Sequence, residues 1–544
     1  MHSTELVASI IGTLGAYALY RLLKAFYQEF TSPLSSVPGP SAPENWLIGH
    51  RADLQKLVEN GEEGQWTEKY GRTMRTKTIF GFSELYTTDA RAVHHVLTHD
   101  YIYQKSPIAR YVLGRLVGPG VLVVEEDVHK QQRKILNPAF GPQQIRALTE
   151  IFVEKSKQLR DIWASQAAVN GGVARVQIIP WLTKATLDMI GLAGFNYNFN
   201  SLGNEGTRDE LQEAFEALSV AGGTPGKQPI MAILKSLIPA FRIIPTKTDT
   251  MIENSQEVMN RIGRKLMNDS KEEIARGVTS ETGRSRDLFS LLVRANTSKD
   301  IPESQRLSDA DVLAQVPTFL VAGHETTSTA ATWALFALAQ NPGTQTRLRN
   351  ELLTLDTDTP SMDELNGLQY LDSVVRETLR LHTPVVASQR MAMRDDVIPL
   401  GTSFTDRNGI IHESIRLKKG QTVLMPMLVM NRDPAIWGPD ARQFIPERWQ
   451  RSPPISTSIP GIWGQMLTFL GGPRACIGFR FSLVELKALL FTLVRALEFE
   501  LAVSAADIGC IETPIVQQPV LRSDRAAGNQ MPLLIKPFDR SSAI

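Results

Sequence analysis

The chain has 544 residues, 42% of them hydrophobic, so it can bury a substantial core and is too long for one simple core. Its 58 basic and 57 acidic residues nearly cancel, which gives no support to a nucleic-acid or other polyanion partner. The two cysteines, Cys476 and Cys510, are too few for a four-cysteine zinc or iron–sulfur site.

In chain order, residues 6–20 carry no charge and are followed by Arg21 and Lys24. As a helix they rise about 22 Å, short of the roughly 30 Å hydrocarbon core, so Arg21 and Lys24 must snorkel or the helix must use Phe26 and Tyr27 at the interface. A cleaved signal peptide needs basic residues before its apolar run; residues 1–5 have none, and the basic residues that follow point that side to the cytoplasm. An uncleaved membrane anchor is predicted over residues 1–32. Residues 33–43, containing Val37-Pro38-Gly39-Pro40, form a stiff hinge that cannot continue a helix. Residues 73–80 and 84–87 read as short strands parted by Gly81-Phe82-Ser83. His129 and Arg133 stand one helical turn apart, two donors suited to one carboxylate.

Residues 219–245 mix Gly222-Gly223, Pro225, Pro229 and Pro239 with an apolar set, either core or a loop dipping into a membrane. Residues 268–287 read as a solvated connector. From Ser308, an N-cap with Asp309 and Asp311 in its first turn, an apolar run continues to Gln340 before Pro342. This predicts one helix of about 32 residues, with Pro317 as a kink. Its polar interruption is Ala322-Gly323-His324-Glu325-Thr326-Thr327. Gly323 costs about 1 kcal/mol relative to alanine and mid-helix threonines bond back one turn, so a locally widened segment is expected. His324-Glu325 fails as a zinc-protease motif because Ser328 stands where a second histidine is required. Glu377 and Arg380, three apart among Val374, Val375, Leu379 and Leu381, read as a buried ion pair. Residues 397–400 and 410–417 flank Asp406-Arg407-Asn408-Gly409 and form a predicted hairpin. The fold class is mainly α with a minor β portion.

Cys476 lies in Phe469-Leu470-Gly471-Gly472-Pro473-Arg474-Ala475-Cys476-Ile477-Gly478. One thiolate framed by glycines, an arginine and an aromatic ring is a ligand loop for haem iron. Gly472 and Gly478 allow close backbone approach and aim N–H groups at the sulfur. Arg474 offers a guanidinium fork to a haem propionate, and Phe469 covers the sulfur against water. A thiolate ligand favours O–O bond cleavage, so oxygen activation is the expected chemistry. With Cys476 committed to iron, no disulfide remains within the chain, which suits a reducing compartment.

On these residues the chain resembles the cytochrome P450 superfamily, whose ligand loop reads F-x-x-G-x-R-x-C-x-G, and within it microsomal members of fungal secondary metabolism. The resemblance implies that residues 44–544 form a haem-thiolate monooxygenase domain behind the anchor and hinge. Glu325 and Thr326 match the acid-alcohol pair of A/G-G-x-D/E-T-T, for which proton delivery is implied. Glu377 and Arg380 match E-x-x-R, and Arg448 in Pro446-Glu447-Arg448-Trp449 completes a structural triad. Arg133 and Arg390 match propionate arginines, and His129 replaces the tryptophan of W-x-x-x-R, making that contact sensitive to tautomer and pH.

Further implications are haem b held by Cys476, an NADPH-cytochrome reductase as electron donor with cytochrome b5 as a further candidate, and the endoplasmic reticulum membrane with the catalytic domain facing the cytosol. No Gly-rich dinucleotide fingerprint occurs, so NADPH is read by the partner. The implied substrate is an apolar small molecule, with terpenoids as the class suggested by the fungal resemblance. Two alternatives are a same-scaffold isomerase or dehydratase, which needs no acid-alcohol pair, and a haem-binding sensor without turnover.

Overall fold

The computed structural model describes residues 13–539 apart from 14, 17–19, 21–22, 25, 204–208, 222–229, 277–286, 298–301, 303–304, 451–458 and 514. Most of the anchor expected over 6–20 and parts of 219–245 and 268–287 lie outside the described residues. Among the described residues no helix is long and apolar enough to cross a membrane. The chain divides into two compact units, residues 1–104 with 388–426 and residues 105–387 with 427–544.

The first unit is built on a five-stranded sheet in the order Thr73–Lys77, Ser83–Thr87, Thr422–Met425, Ser388–Ala392, Tyr103–Gln104. The first strand stops at Lys77 rather than reaching residue 80, because Ile79–Gly81 makes a 3-10 turn in which Phe80 takes φ 58°. Trp66, Met74 and Tyr86 form a buried cluster on this sheet. Glu29 pins the helical residues 26–30 to it by accepting from Lys77 Nζ at 2.6 Å and Ser83 N at 2.8 Å. The predicted hairpin forms from Asp396–Thr405 and Ile411–Leu417. Its turn closes because the Asp406 carboxylate accepts from the N–H groups of Asn408 and Ile410, both at 2.9 Å, while Gly409 takes φ 80°.

The second unit is mainly helical. Its centre is the helix Gln315–Gln340, apolar or small on nearly every face and buried on nearly every face, as such a sequence must be. Asp309–Leu313 is a separate helix with a capping box between Ser308 and Asp311, so the single helix expected from Ser308 is broken at Ala314. Pro317 accounts for the break: it has no N–H to give the carbonyl one turn back, and its ring crowds that carbonyl. The central helix lies against Ile178–Phe195, Gln369–Leu381 and Phe479–Ala496. Phe479–Ala496 in turn lies against Pro142–Val169, where Phe152 and Phe481 meet edge to face at 4.8 Å, a contact worth about 1 kcal/mol.

The helix Lys247–Ala275 extends into the stretch read as a connector, because Ile252, Met259 and Met267 are buried on one face. A three-stranded sheet, Ala174–Gln177, Pro532–Pro537 and Leu497–Leu501, and the hairpin of Ile508–Glu512 with Gln517–Leu521 complete the minor β portion. Ile238, Ile243 and Ile244 are exposed within 219–245, so this part of the apolar set is not core.

Candidate functional site

The cysteine loop precedes Phe479–Ala496 and is folded by its own backbone. Cys476 N donates to Phe469 O at 2.9 Å and Ala475 N to Gly472 O at 3.1 Å, closing the turn in which Gly472 takes φ 68°. That left-handed conformation is why glycine stands at 472. The Phe469 ring meets Trp463 edge to face at 5.7 Å and lies tilted against Phe479 at 6.0 Å. Two arginines hold the loop from outside. Arg133, on the helix Glu126–Leu136, donates to Ala475 O at 2.7 Å. Arg474 donates to Val124 O at 2.6 Å and pairs with Glu125.

Cys476 keeps accessible surface although much of the chain is packed around it. Burial pushes the thiol pKa up, while a hydrogen bond from the Gly478 N–H and the nearby Arg133 cation pull it back. Deprotonation to a ligand therefore draws on both groups. On the central helix Ala322 is likewise exposed although 316–321 and 327–339 are buried. An accessible sulfur with protein packed around it, one N–H on it and the Arg133 cation beside it would suit iron of a haem held by this thiolate.

His129 is buried beside Arg474, Lys105 and Arg133, and desolvation followed by these three cations lowers its pKa to about 3. With these three cations around it and no anion among the groups acting on it, the imidazole is held neutral near pH 7. Arg390 lies in the first unit, buried in the strand Ser388–Ala392, where it donates to Ser388 Oγ at 2.7 Å and Gln389 O at 2.8 Å.

Glu325 is largely enclosed by protein, and desolvation alone raises its pKa to about 7. Thr326 donates back to Ala322 O at 2.8 Å. No widening is seen, since 315–340 is α-helical throughout. Instead, successive carbonyls carry extra hydroxyl donors: Thr327 to Gly323 O at 3.1 Å, Thr186 to His324 O at 3.1 Å and Ser328 to Glu325 O at 3.1 Å. Thr186 comes from the neighbouring helix Ile178–Phe195, and its single hydroxyl proton also has Leu182 O within reach at 3.0 Å. One turn further along that helix, Ile190 fills the space over Gly323; a Cβ there would lie 2.9 Å from it. Gly323 is therefore explained by helix-to-helix approach.

Glu377 and Arg380 form a fully buried pair at 2.8 Å, and Arg448 reaches Glu377 at 3.3 Å. Glu377 also accepts from Ile445 N and Trp449 Nε1, both at 3.0 Å, and Arg448 pairs with Asp440 at 2.7 Å. The cluster is tied to the cysteine loop through Asn431, whose carbonyl accepts from Arg380 at 2.9 Å and whose side chain donates to Thr468 at 3.0 Å. Thr468, one residue before Phe469, donates from Oγ1 to Leu379 O at 2.8 Å. Sequence reasoning missed Glu125, Thr186, Asn431, Asp440 and Thr468, none of which carries a spacing signal.

The family model described as Cytochrome P450 matches residues 38–520. The chain is 48% identical over 527 residues to cytochrome P450 monooxygenase 205 of Postia placenta, covering 96% of each chain. It is 49% identical over 534 residues to cytochrome P450 monooxygenase 128 of the same organism, covering 97% of each. Cytochrome P450 monooxygenase claP of Ampulloclitocybe clavipes is 34% identical over 442 residues, 80% of each.

Proposed function

The chain belongs to the cytochrome P450 family, and from that premise we propose that it is a membrane-anchored monooxygenase acting on an apolar small molecule. The observation that carries this reading is the accessible sulfur of Cys476, with protein packed around it and the Gly478 N–H upon it. Haem held by that thiolate supplies oxygen activation when bound. Cys476 is its metal ligand; Phe469, Gly472 and Gly478 shape the loop, and His129, Arg133 and Arg474 serve its propionates. Glu377, Arg380 and Arg448 are structural, holding the segment that enters the loop.

Glu325 and Thr326 deliver protons. A carboxyl with a pKa of about 7 both holds and releases a proton near neutrality, as a general acid must. The Thr326 hydroxyl hydrogen is directed at Ala322 O, so its oxygen lone pairs are free to accept a hydrogen bond from water and hold that water for the proton relay.

The division we propose is an anchor at 1–32, a hinge at 33–43 and a catalytic domain at 44–544, placed on the cytosolic face of the endoplasmic reticulum membrane. It is supported by the uncharged run 6–20 with Arg21 and Lys24 after it. Electrons come from an NADPH-cytochrome reductase, with cytochrome b5 as a further candidate donor. The exposed Ile238, Ile243 and Ile244 support delivery of an apolar substrate from the bilayer, for which terpenoids are the class to screen first.

The test is a carbon monoxide difference spectrum of reduced membranes bearing the chain, beside Cys476→Ser. A strongly red-shifted Soret band that disappears in the variant supports the reading. A band typical of histidine-ligated haem, or folded protein without haem, overturns it.

A further inference from the structure

We infer that Glu125 tunes the haem by sharing Arg474 with a haem propionate, so that one buried carboxylate sets the reduction midpoint of the cofactor. Glu125 does so only if Arg474 meets a propionate, which is part of the function proposed for this site.

Glu125 occupies the N-cap position of Glu126–Leu136, but its side chain makes no cap hydrogen bond. It is turned instead toward the cysteine loop, buried, and paired with Arg474. The same carboxylate accepts from Lys105 N at 3.0 Å and lies 3.7 Å from Lys105 Nζ. A guanidinium has donors enough for two carboxylates in a fixed fork, so Glu125 and a propionate can be held by Arg474 at once.

The surroundings make this arrangement consequential. Arg474, Lys105 and Arg133 converge on buried His129, and Glu125 is the carboxylate bonded into that group. Each cation near a haem favours the ferrous form, which carries one more electron; each carboxylate opposes it. In such buried surroundings a unit charge is poorly screened. Glu125 offsets one of the three cations and keeps the cofactor harder to reduce than the arginines alone would leave it.

The experiment is an anaerobic spectroelectrochemical titration of the full-length, haem-loaded protein in lipid nanodiscs. Glu125→Gln is expected to shift the reduction equilibrium about tenfold toward ferrous, which is about 59 mV for a one-electron couple. Lys105→Met removes a cation from the same group and is expected to shift it the other way. A Glu125→Gln midpoint equal to or below that of the unaltered protein, with the thiolate carbon monoxide band intact, overturns the inference. Should Glu125→Gln fail to fold, an unchanged midpoint in Lys105→Met overturns it alone. The underlying propionate reading fails separately, if Arg474→Gln gives up its haem to apomyoglobin no faster than the unaltered protein.

Discussion

Replacing Glu325 by glutamine keeps the shape of the side chain and removes its charge. Its pKa stands at about 7 against an ordinary value of 4.5, through desolvation. A carboxyl whose folded value is raised contributes stability that is fully present below the unfolded value and lost as pH rises through the folded value. The unaltered protein should therefore lose stability between about pH 4.5 and 7, and Glu325→Gln should not. A difference of about 2.5 pKa units corresponds to about 3 kcal/mol above pH 7, a ceiling because any water beside the carboxyl reduces it. For a chain of this length that is a few degrees in Tm, about 3 °C. The assay is the melting of haem-loaded protein and variant in parallel from about pH 4 to 8. The two curves should meet at the lowest pH, draw apart between about pH 4.5 and 7, and keep a constant separation above that. Parallel curves would refute the assignment of a buried, desolvated carboxyl. In turnover, the same variant should lower the yield of product per dioxygen consumed without changing the carbon monoxide band.

Thr186→Val removes the hydroxyl that reaches His324 O, a bond of about 1 kcal/mol; product formed per oxygen consumed should fall about fivefold with the carbon monoxide spectrum unchanged, and unchanged coupling would dismiss this role. Gly323→Ala should lose about 1 to 2 kcal/mol in urea titrations, since the new methyl group meets Ile190, and Ile190→Ala should recover most of it. Glu377→Gln leaves Arg380 and Arg448 buried without their anion, a loss of about 3 to 5 kcal/mol; the yield of folded, haem-loaded protein should collapse, and a normal yield would refute the structural reading.

The cysteine loop was legible because its chemistry is compressed into ten consecutive residues, and Glu377 with Arg380 because a helix places them on one face. The partners of these groups were not. Glu125 meets Arg474 across 349 positions, and Thr186 meets His324 across 138, distances over which no local pattern operates. Gly323 misled for a related reason: a glycine in a helix reads as weakness until the neighbouring Ile190 is known to occupy its side. The break at Ala314 was half visible, since Pro317 marked the place but left open whether the helix would bend or end.

The fastening of the cysteine loop also bears on how the protein is assembled. Ala475 accepts from Arg133 across 342 positions and Arg474 donates to Val124 across 350, so the loop takes its final form only after most of the chain is in place. Arg133 and Arg474, which fasten the loop to Glu126–Leu136 and the residues before it, are accordingly the bonds on which that late step depends.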